Sequence, residues 1–403
     1  MSGALEDYRA QARAWLADHA AEFGAQARRG LDEAADLALG RRWQRLKADN
    51  GYAGIAWSPQ YGGAGGTELQ AAIFAQEELP FGFPSVYFGI SLGQPVPILL
   101  KYAPEEVRQR YALPALRGEE IWCQLFSEPA AGSDLAGIRL RAVRDGDGWV
   151  LSGQKLWTSW AHLADYGVIL ARTDPSQPKH KGLTYFWLDM KAPGVTVRPV
   201  RLANGGHDVN EVFFDDVRIP DNQRLGAVGQ GFGVAMDTLM IERYAAADEA
   251  GFGPALSLFV NQALETTING RPAIEDGRVR RDIATAFRQQ RALAAIRTGT
   301  FLALAAGAEP GPEGSIHKLV SMRARQQLSA AAMDLMGTAG SILEPDASPQ
   351  SDWAQSWLTA PTGRIAGGAD EMLLNTIAER ILGLPQDYRP DKGLPFDQIR
   401  PSR

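Results

Sequence analysis

"QLFSEPAAGSD", residues 124–134, carries the densest chemical signal of the chain, and the prediction of the fold starts from it. It places two hydroxyl side chains, Ser127 and Ser133, on either side of a small-residue loop at Gly132. Such a loop lets backbone amides come close to an anionic or heteroaromatic ligand. Because serine–glycine stretches are usually turns, the stretch alone indicates either an ordinary turn or a ligand-binding loop.

"LWTSWAHLAD", residues 156–165, adds the second part of this pattern. A flat apolar ring, Trp157, is followed by two further hydroxyls, Thr158 and Ser159. A tryptophan in a strand is usually part of a core. The two stretches together, in this order and spacing, favour a binding site over two unrelated structural roles.

Residues 121–225 contain both stretches and are predicted to form an antiparallel β domain. Short runs in which β-branched and aromatic residues alternate are typical of strands. The tetrapeptide DGDG at residues 145–148 predicts a hairpin turn. The runs are GWVLSGQKLWTSW, YGVILART, LTYFWLDM, GVTVRPV and NEVFFDDVRI.

The segments on both sides of this domain are predicted to be helical, because their apolar residues recur with the helical period. The fold class is therefore α+β and multidomain, with helical domains at residues 1–120 and 226–403 around the β domain. Gly383 and Pro385 are the predicted stop of the last helix. The helices predicted in the first domain are Leu5–Phe23, Leu31–Asp49, Glu68–Leu79 and Pro104–Arg117.

The composition excludes several classes of function. The chain has 403 residues, of which 45% are hydrophobic and 22% charged, and its formal net charge is −6. We therefore expect a globular protein. Because basic residues are not in excess, we expect no nucleic-acid partner. No apolar run has the length of a membrane span and the N-terminus lacks a continuous apolar segment, so we expect neither export nor a membrane anchor.

The single cysteine, Cys123, excludes an internal disulfide framework and favours a reducing, cytoplasmic compartment. The histidines are too scattered to match a zinc motif, so the sequence predicts no metal site. They are His19, His162, His180, His207 and His317.

In its motifs the chain resembles the acyl-CoA dehydrogenase family of flavoproteins nearly from end to end. GIAWSPQYGGAGGTELQAAIFAQEEL, residues 54–79, is similar to the family's N-terminal helical region. QLFSEPAAGSD and GQKLWTS are similar to its two flavin motifs, and GGADEMLLNTIAERILGLP, residues 367–385, to its final helix. The resemblance implies a β-barrel-like middle domain, a C-terminal four-helix bundle and bound FAD.

The activity that the resemblance implies is the α,β-dehydrogenation of an acyl-CoA thioester to the 2-enoyl-CoA. Electrons would pass to an electron-transfer flavoprotein, as in the β-oxidation of a fatty acid or a steroid side chain. A flavin-dependent acyl-CoA oxidase, which gives its electrons to dioxygen, remains an alternative.

The resemblance also implies which residues meet the flavin. The backbone of Phe126 and the hydroxyl of Ser127 would meet its pyrimidine edge, and Ser133 would approach its pyrophosphate and the substrate. Trp157 would pack on the isoalloxazine, and Ser159 would form a hydrogen bond near N5, the atom that receives hydride. The full set is Gln124, Phe126, Ser127, Gly132, Ser133, Trp157 and Ser159.

The family's usual catalytic base is absent from its usual place. In many members this base is a glutamate in a Tyr-Glu-Gly-Thr motif just before the last helix. Here RIAGGADEM, residues 364–372, has Gly367 at that position. The resemblance still assigns the Gly367 backbone amide to the thioester oxygen, where it would stabilise the developing enolate. The missing side chain frees volume, which favours a branched or bulky acyl chain.

A second arrangement in the family supplies the base from an earlier helix. In isovaleryl- and long-chain members a glutamate immediately before an arginine takes this role, and MIER, residues 240–243, matches it. Glu242 is then the base and Arg243 a residue that orders the substrate pocket. A buried carboxylate suits this task because burial raises its pKa and strengthens it as a proton acceptor. The alternative is a glutamate that faces solvent on an amphipathic helix.

Two further elements depart from the family. Members place an Arg-x-x-Phe-Gly and a Gln-x-x-Gly-Gly element against the flavin of a neighbouring subunit. Here Thr266 and Asn269 replace the arginine and phenylalanine, and Asp334 replaces the glutamine. Because an aspartate repels a pyrophosphate and the lost arginine removes a bidentate donor, we expect a hetero-oligomer in which a paralogous subunit completes the site. A non-catalytic subunit of such an oligomer is the second interpretation.

Overall fold

The computed structural model describes residues 3–245, 256–305, 311–342 and 352–399. The chain divides into two compact units. The first unit is Met1–Ala245 with Asp387–Arg403, and the second unit is Ala246–Gln386. The domain boundaries near residues 120 and 225 stay a prediction.

Seven helices are described in the first unit. The four that the sequence predicts are confirmed to within two residues at either end, and Asp32 caps the second of them by accepting a hydrogen bond from the Ala35 amide at 2.8 Å. The helices are α1 Gly3–Phe23, α2 Glu33–Asp49, α3 Glu68–Glu78, α4 Val86–Gly93, α5 Pro95–Tyr102, α6 Glu105–Leu116 and α7 Gly231–Ala245.

An eight-stranded sheet is described in the same unit, and the strand runs predicted from the sequence are confirmed. Its order is β6-β7-β3-β2-β4-β5-β8, with β1 paired to β4. The DGDG turn joins β2 to β3, where Asp145 pairs with Gly148. The strands are β1 Trp122–Leu125, β2 Arg141–Asp145, β3 Gly148–Ser159, β4 Tyr166–Arg172, β5 Leu183–Asp189, β6 Val195–Val200, β7 Val209–Pro220 and β8 Arg224–Leu225.

The pairing is antiparallel except around β4. β1 runs parallel to β4 over four residue pairs, and β2 meets β4 in parallel at Arg141 and Arg172. This differs from the predicted antiparallel domain. The reason is that β1 and β2 reach β4 through long connections, and only strands joined by a tight turn must be antiparallel.

Strands β4 and β5 are buried on both faces. Val168 and Tyr185 belong to one core cluster, while their chain neighbours Ile169 and Phe186 belong to another. A strand that is buried on both faces is apolar throughout, which accounts for the sequences YGVILAR and LTYFWLD. The centre of the sheet is therefore rigid, and its ends and loops remain available for binding.

The second unit is helical in its described residues. It contains one two-stranded hairpin and ends in a π-helical turn, Ile377–Ile381, followed by the predicted stop at Gly383. None of the described helices of the chain is both long and apolar enough to cross a membrane. The elements are α8 Leu256–Glu265, β9 Thr267–Ile268, β10 Arg271–Pro272, α9 Gly277–Ala305, α10 Gly314–Met336, α11 Trp353–Gly363 and α12 Asp370–Thr376.

Candidate active site

The structure brings QLFSEPAAGSD, residues 124–134, and LWTSWAHLAD, residues 156–165, side by side. The Leu156 amide donates to the Ser127 carbonyl at 2.9 Å. The Lys155 ammonium donates to the Phe126 carbonyl, also at 2.9 Å. The turn after β1 is therefore fixed against the end of β3, and Ser127 and Trp157 lie close together.

A buried ion pair, which the sequence analysis missed, holds this arrangement. Lys155 has no exposed surface, and its ammonium lies 2.9 Å from the Glu128 carboxylate. That carboxylate also accepts hydrogen bonds from the backbone amides of Arg139 at 2.6 Å and Leu140 at 2.9 Å. Burial lowers the pKa of Lys155, and the charge of Glu128 opposes this shift. The Glu128 carboxylate therefore joins the two ends of the loop of residues 128–140.

The backbone conformation and the side-chain exposure of Trp157 are those expected of a residue that contacts a ligand. Its φ of +64° lies in the left-handed region, which is rare for a bulky side chain. The register of β3 against β7 shifts between Lys155 and Thr158, so Trp157 lies in a bulge. Its side chain is 55% exposed, which excludes a core role. Backbone strain of this kind costs about 1–3 kcal/mol and clusters at ligand sites.

Two hydroxyls follow this ring. Thr158 is only 1% exposed, and its Oγ1 has no hydrogen-bond partner among the described residues. Ser159 is partly buried at the last position of β3, opposite Val209. A buried hydroxyl without a partner needs an explanation, such as a bound ligand or water.

The predicted small-residue loop lies at the surface. Glu128 and Ala131 exchange two backbone hydrogen bonds at 2.8 and 3.0 Å, and Gly132 and Ser133 follow this turn exposed. A Cβ atom at Gly132 would meet no other atom within 4 Å, so the space above the backbone is open. Gln124 is partly buried in β1, opposite Val168.

Arg172 is a second buried cation that the sequence analysis missed. It donates to the carbonyls of Ala136 at 2.6 Å and Lys179 at 2.7 Å, and its guanidinium lies 3.7 Å from the ring centroid of Phe396. Burial lowers the pKa of Arg172 to about 10, and the charge of Glu128 opposes this shift. The guanidinium therefore ties the far end of the 128–140 loop to the sheet and to the chain end at residues 387–399.

The groups that come together fit one kind of ligand. The ring of Trp157 offers a flat apolar surface, the hydroxyls of Ser127 and Ser159 offer hydrogen bonds, and the loop at Gly132 and Ser133 offers open backbone. Flat heteroaromatic molecules with an anionic tail match this combination.

Helix α7 packs against the sheet beside this arrangement. The Tyr185 hydroxyl lies 3.1 Å from Thr238 Oγ1, and the Tyr185 ring meets Phe126 edge to face at 5.8 Å. Glu242 and Arg243 belong to the same helix, but their side chains lie outside the described residues. The described contacts therefore concern the part of α7 that precedes MIER.

In the second unit, Gly367 and Gly368 form a sharp turn before α12. Their φ values are +62° and +104°, which side-chain-bearing residues rarely adopt. The Lys318 ammonium donates to the carbonyl oxygens of Ala366 and, at 2.7 Å, Gly368. Among the described residues, no hydrogen bond from the Gly367 amide is found. Within that part of the chain, the amide is a candidate donor in a fixed turn.

Asp370 anchors the same turn from its other side. Its carboxylate accepts from Arg364 at 2.6 Å and Arg323 at 3.0 Å. Burial alone would raise the pKa of Asp370, but the hydrogen bonds from the two guanidiniums lower it. The negative charge lies in the first turn of α12, where the helix dipole favours it.

The residues that depart from the family's cofactor elements make local contacts within the second unit. Asn269 and Gly270 form the two-residue turn between β9 and β10, with φ values of +50° and +78°. Both values are those of a type I′ hairpin turn, which strongly prefers Asn-Gly. Asp334 lies 3.6 Å from the Arg278 guanidinium, which offsets part of its charge. Thr266 accepts a hydrogen bond from Gln262 at 3.3 Å.

Family models match nearly the whole chain. The acyl-CoA dehydrogenase N-terminal domain matches residues 3–119. The acyl-CoA dehydrogenase middle domain matches residues 123–217, and the C-terminal domain matches residues 229–382. The three matches follow one another in the order of the predicted helical, β and helical segments.

Individual relatives agree with these models. Acyl-CoA dehydrogenase IpdE1 of Mycobacterium tuberculosis is 35% identical over 395 residues, which cover 96% of this chain and 99% of the relative. Acyl-CoA dehydrogenase FadE34 of the same organism is 38% identical over 353 residues, 84% of this chain, but the match spans only 45% of that relative's length. The solved structure of the Tcur3481-Tcur3483 steroid ACAD is 26% identical, with a TM-score of 0.79, and the match covers 96% of this chain and 99% of that one.

Proposed function

The chain belongs to the acyl-CoA dehydrogenase family, and from that premise we propose that it binds FAD and oxidises an acyl-CoA thioester to the 2-enoyl-CoA. An electron-transfer flavoprotein then accepts the electrons. The observation that carries the proposal is Trp157, an exposed indole on a strained bulge directly beside the Phe126–Ser127 turn. A strained and exposed aromatic side chain is expected at a ligand site and has no role in a core.

Bound FAD supplies the acceptor for the hydride that leaves the β-carbon of the substrate. The chain's own residues would hold this acceptor: Trp157 would pack on its ring system and Ser159 would donate a hydrogen bond at its edge. Phe126 and Ser127 would meet the pyrimidine side, and Ser133 would meet the pyrophosphate. The Glu128–Lys155 pair acts one step further away, because it fixes the carbonyl of Phe126.

Glu242 is the proposed base that takes the α-proton of the thioester. It lies one helical turn after Thr238, whose Oγ1 is 3.1 Å from the Tyr185 hydroxyl, on the helix that packs against the sheet. Gly367 offers no side chain that could compete for this role. A carboxylate away from water is a stronger proton acceptor than an exposed one.

The Gly367 amide is the proposed donor to the thioester carbonyl. It belongs to a turn that Lys318 and Asp370 hold from both sides, and no described residue accepts its hydrogen bond. A donor that needs no rearrangement is what stabilises a developing enolate. Arg243 orders the pocket around the substrate.

The proposed substrate carries a bulky acyl chain, of the steroid side-chain kind. Position 367 is a glycine where many family members have a glutamate, so a side chain is missing there, and one solved relative is named a steroid ACAD. The proposed assembly is a hetero-oligomer with a paralogous subunit, because Thr266, Asn269 and Asp334 replace three cofactor contacts. The name of the same solved relative, Tcur3481-Tcur3483, also combines two designations.

The test is a flavin-reduction assay on the chain purified alone and together with a co-expressed paralogue. Short straight, branched and steroid side-chain acyl-CoA thioesters are added without oxygen, and loss of the visible flavin absorbance is followed. We expect reduction only in the co-purified assembly, and fastest with the bulkiest thioesters. Full FAD occupancy and activity of the chain alone would contradict the hetero-oligomer, and no reduction by any thioester would contradict the enzyme.

Trp157→Ala is expected to weaken FAD binding by a factor of about two to ten, because an aromatic contact contributes about 0.5–1.5 kcal/mol. The exposed indole adds little to the core, so the denaturation midpoint of the cofactor-free protein should not fall. Bound FAD is measured by equilibrium dialysis and absorbance. Trp357→Ala, which removes another exposed indole at 45% exposure, is the matched control. An equal loss of FAD affinity in both variants would contradict the stacking of Trp157 on the flavin.

A further inference from the structure

Three groups outside the proposed active site come together in the first unit. They are Glu33 at the start of α2, His162 in the turn after β3, and His207 in the loop before β7. One ligand atom from each lies within 4.8 Å of the others. The sequence analysis predicted no metal site from histidine spacing, but the fold brings together residues up to 174 positions apart, from Glu33 to His207.

Two of the three ligand–ligand distances match those of a metal centre. Glu33 Oε1 lies 3.3 Å from His162 Nε2 and 3.4 Å from His207 Nε2. Ligands bound to Zn²⁺ at about 2.0–2.2 Å in tetrahedral geometry are about 3.4 Å apart. One carboxylate oxygen therefore already has this spacing to both imidazoles. His207 is half exposed, so its ring can turn to shorten the remaining nitrogen–nitrogen distance.

A buried asparagine fixes the orientation of His162. Asn210 has no exposed surface, and its amide nitrogen donates to the Thr158 carbonyl at 3.0 Å. Its oxygen therefore faces His162 Nδ1 at 3.1 Å and holds the imidazole ring in this orientation. Nε2 of His162 then points at the Glu33 carboxylate, 3.2 Å away. An imidazole nitrogen and a carboxylate oxygen at this distance either share a proton or bind the same cation.

We propose that Glu33, His162 and His207 bind a Zn²⁺ ion, with solvent in the fourth position. Two imidazoles and one carboxylate form a donor set that suits Zn²⁺. The hydrogen bond from a ligating histidine to a second polar group is the usual support of such a centre, and Asn210 supplies it. The ion links α2 to the loops that flank β3 and β7, which the Trp160 amide also joins by donating to the Asp208 carbonyl at 2.8 Å.

The test uses full-length protein freed of metals by a chelator and titrated with zinc chloride alone. Calorimetry should give one Zn²⁺ per chain, and Zn²⁺ should raise the melting temperature. His207→Ala and Glu33→Gln should each weaken Zn²⁺ binding at least about tenfold. Loss of a residue that only hydrogen-bonds to a metal ligand already lowers metal affinity about 10–100-fold. Co²⁺ in place of Zn²⁺ should give the strong visible absorption of a tetrahedral site, and His207→Ala should remove it.

His180→Ala is the matched control, because it removes an exposed imidazole elsewhere in the same unit. It should bind Zn²⁺ as the wild-type chain does. The proposal is overturned if the wild-type chain takes up no Zn²⁺, since a proton then suffices between His162 and Glu33. It is also overturned if His180→Ala loses as much affinity as His207→Ala, since binding is then a property of surface histidines in general.

Discussion

Glu242→Gln is expected to slow flavin reduction by acyl-CoA about 10²- to 10⁴-fold, the range that a positioned general base contributes. Glutamine keeps the size and the hydrogen bonds of the side chain but does not accept the α-proton. The affinity for acyl-CoA should change little, because the carboxylate acts on the proton in the transition state and adds little ground-state binding. Stopped-flow absorbance under anaerobic, single-turnover conditions measures the rate and the affinity separately.

Asp237→Asn is the matched control on the same helix. Asp237 lies 2.5 Å from the Lys101 ammonium and also accepts from the Tyr102 hydroxyl. Although burial opposes the shift, these hydrogen bonds lower the pKa of Asp237, so the residue is a structural anion. Its amide variant should reduce flavin at a rate close to that of the wild-type chain. Equal rates for Glu242→Gln and the wild-type chain would remove Glu242 as the base and favour a non-catalytic subunit.

The strands and the motif positions follow from the sequence because they depend on local patterns. Alternating runs such as GWVLSGQKLWTS predict β3 correctly, and the Asp145–Gly148 pair confirms the turn beside it. Helices α4 and α5 were not predicted. Their segment, residues 86–102, is apolar on most sides and includes two prolines, so it has no clear helical period.

The supporting contacts of the site could not be predicted, because they join residues that are distant in the chain. Lys155 stands in a strand whose alternation is compatible with an exposed position, and its partner Glu128 is 27 residues earlier. The residue type suggested that Trp157 is a contact, but the strain and the bulge that expose it depend on the pairing with β7. Local chemistry thus predicts candidate contact residues, whereas the residues that fix their position depend on the fold.

Lys155→Met is expected to lower the free energy of unfolding by about 3–5 kcal/mol, the cost of leaving a buried charge without its partner. Glu128 would keep its bonds to the Arg139 and Leu140 amides but lose its counter-ion. The carbonyl of Phe126 would also lose its donor, so bound FAD should fall with stability. Urea denaturation followed by tryptophan fluorescence measures the first effect, and flavin absorbance after gel filtration measures the second.

Lys191→Met separates this effect from the loss of any lysine. The Lys191–Asp165 pair has a similar distance of 2.7 Å, but its lysine side chain is 72% exposed. Exposed pairs contribute about 0–1 kcal/mol, so this variant should unfold almost as the wild-type chain does. Adding Glu128→Gln to Lys155→Met removes the buried carboxylate charge that has lost its counter-ion. The double variant should therefore recover part of the lost free energy of unfolding. If the double variant is no more stable than Lys155→Met, the cost arises from lost packing around the lysine stem, and the ion pair does not hold the loop.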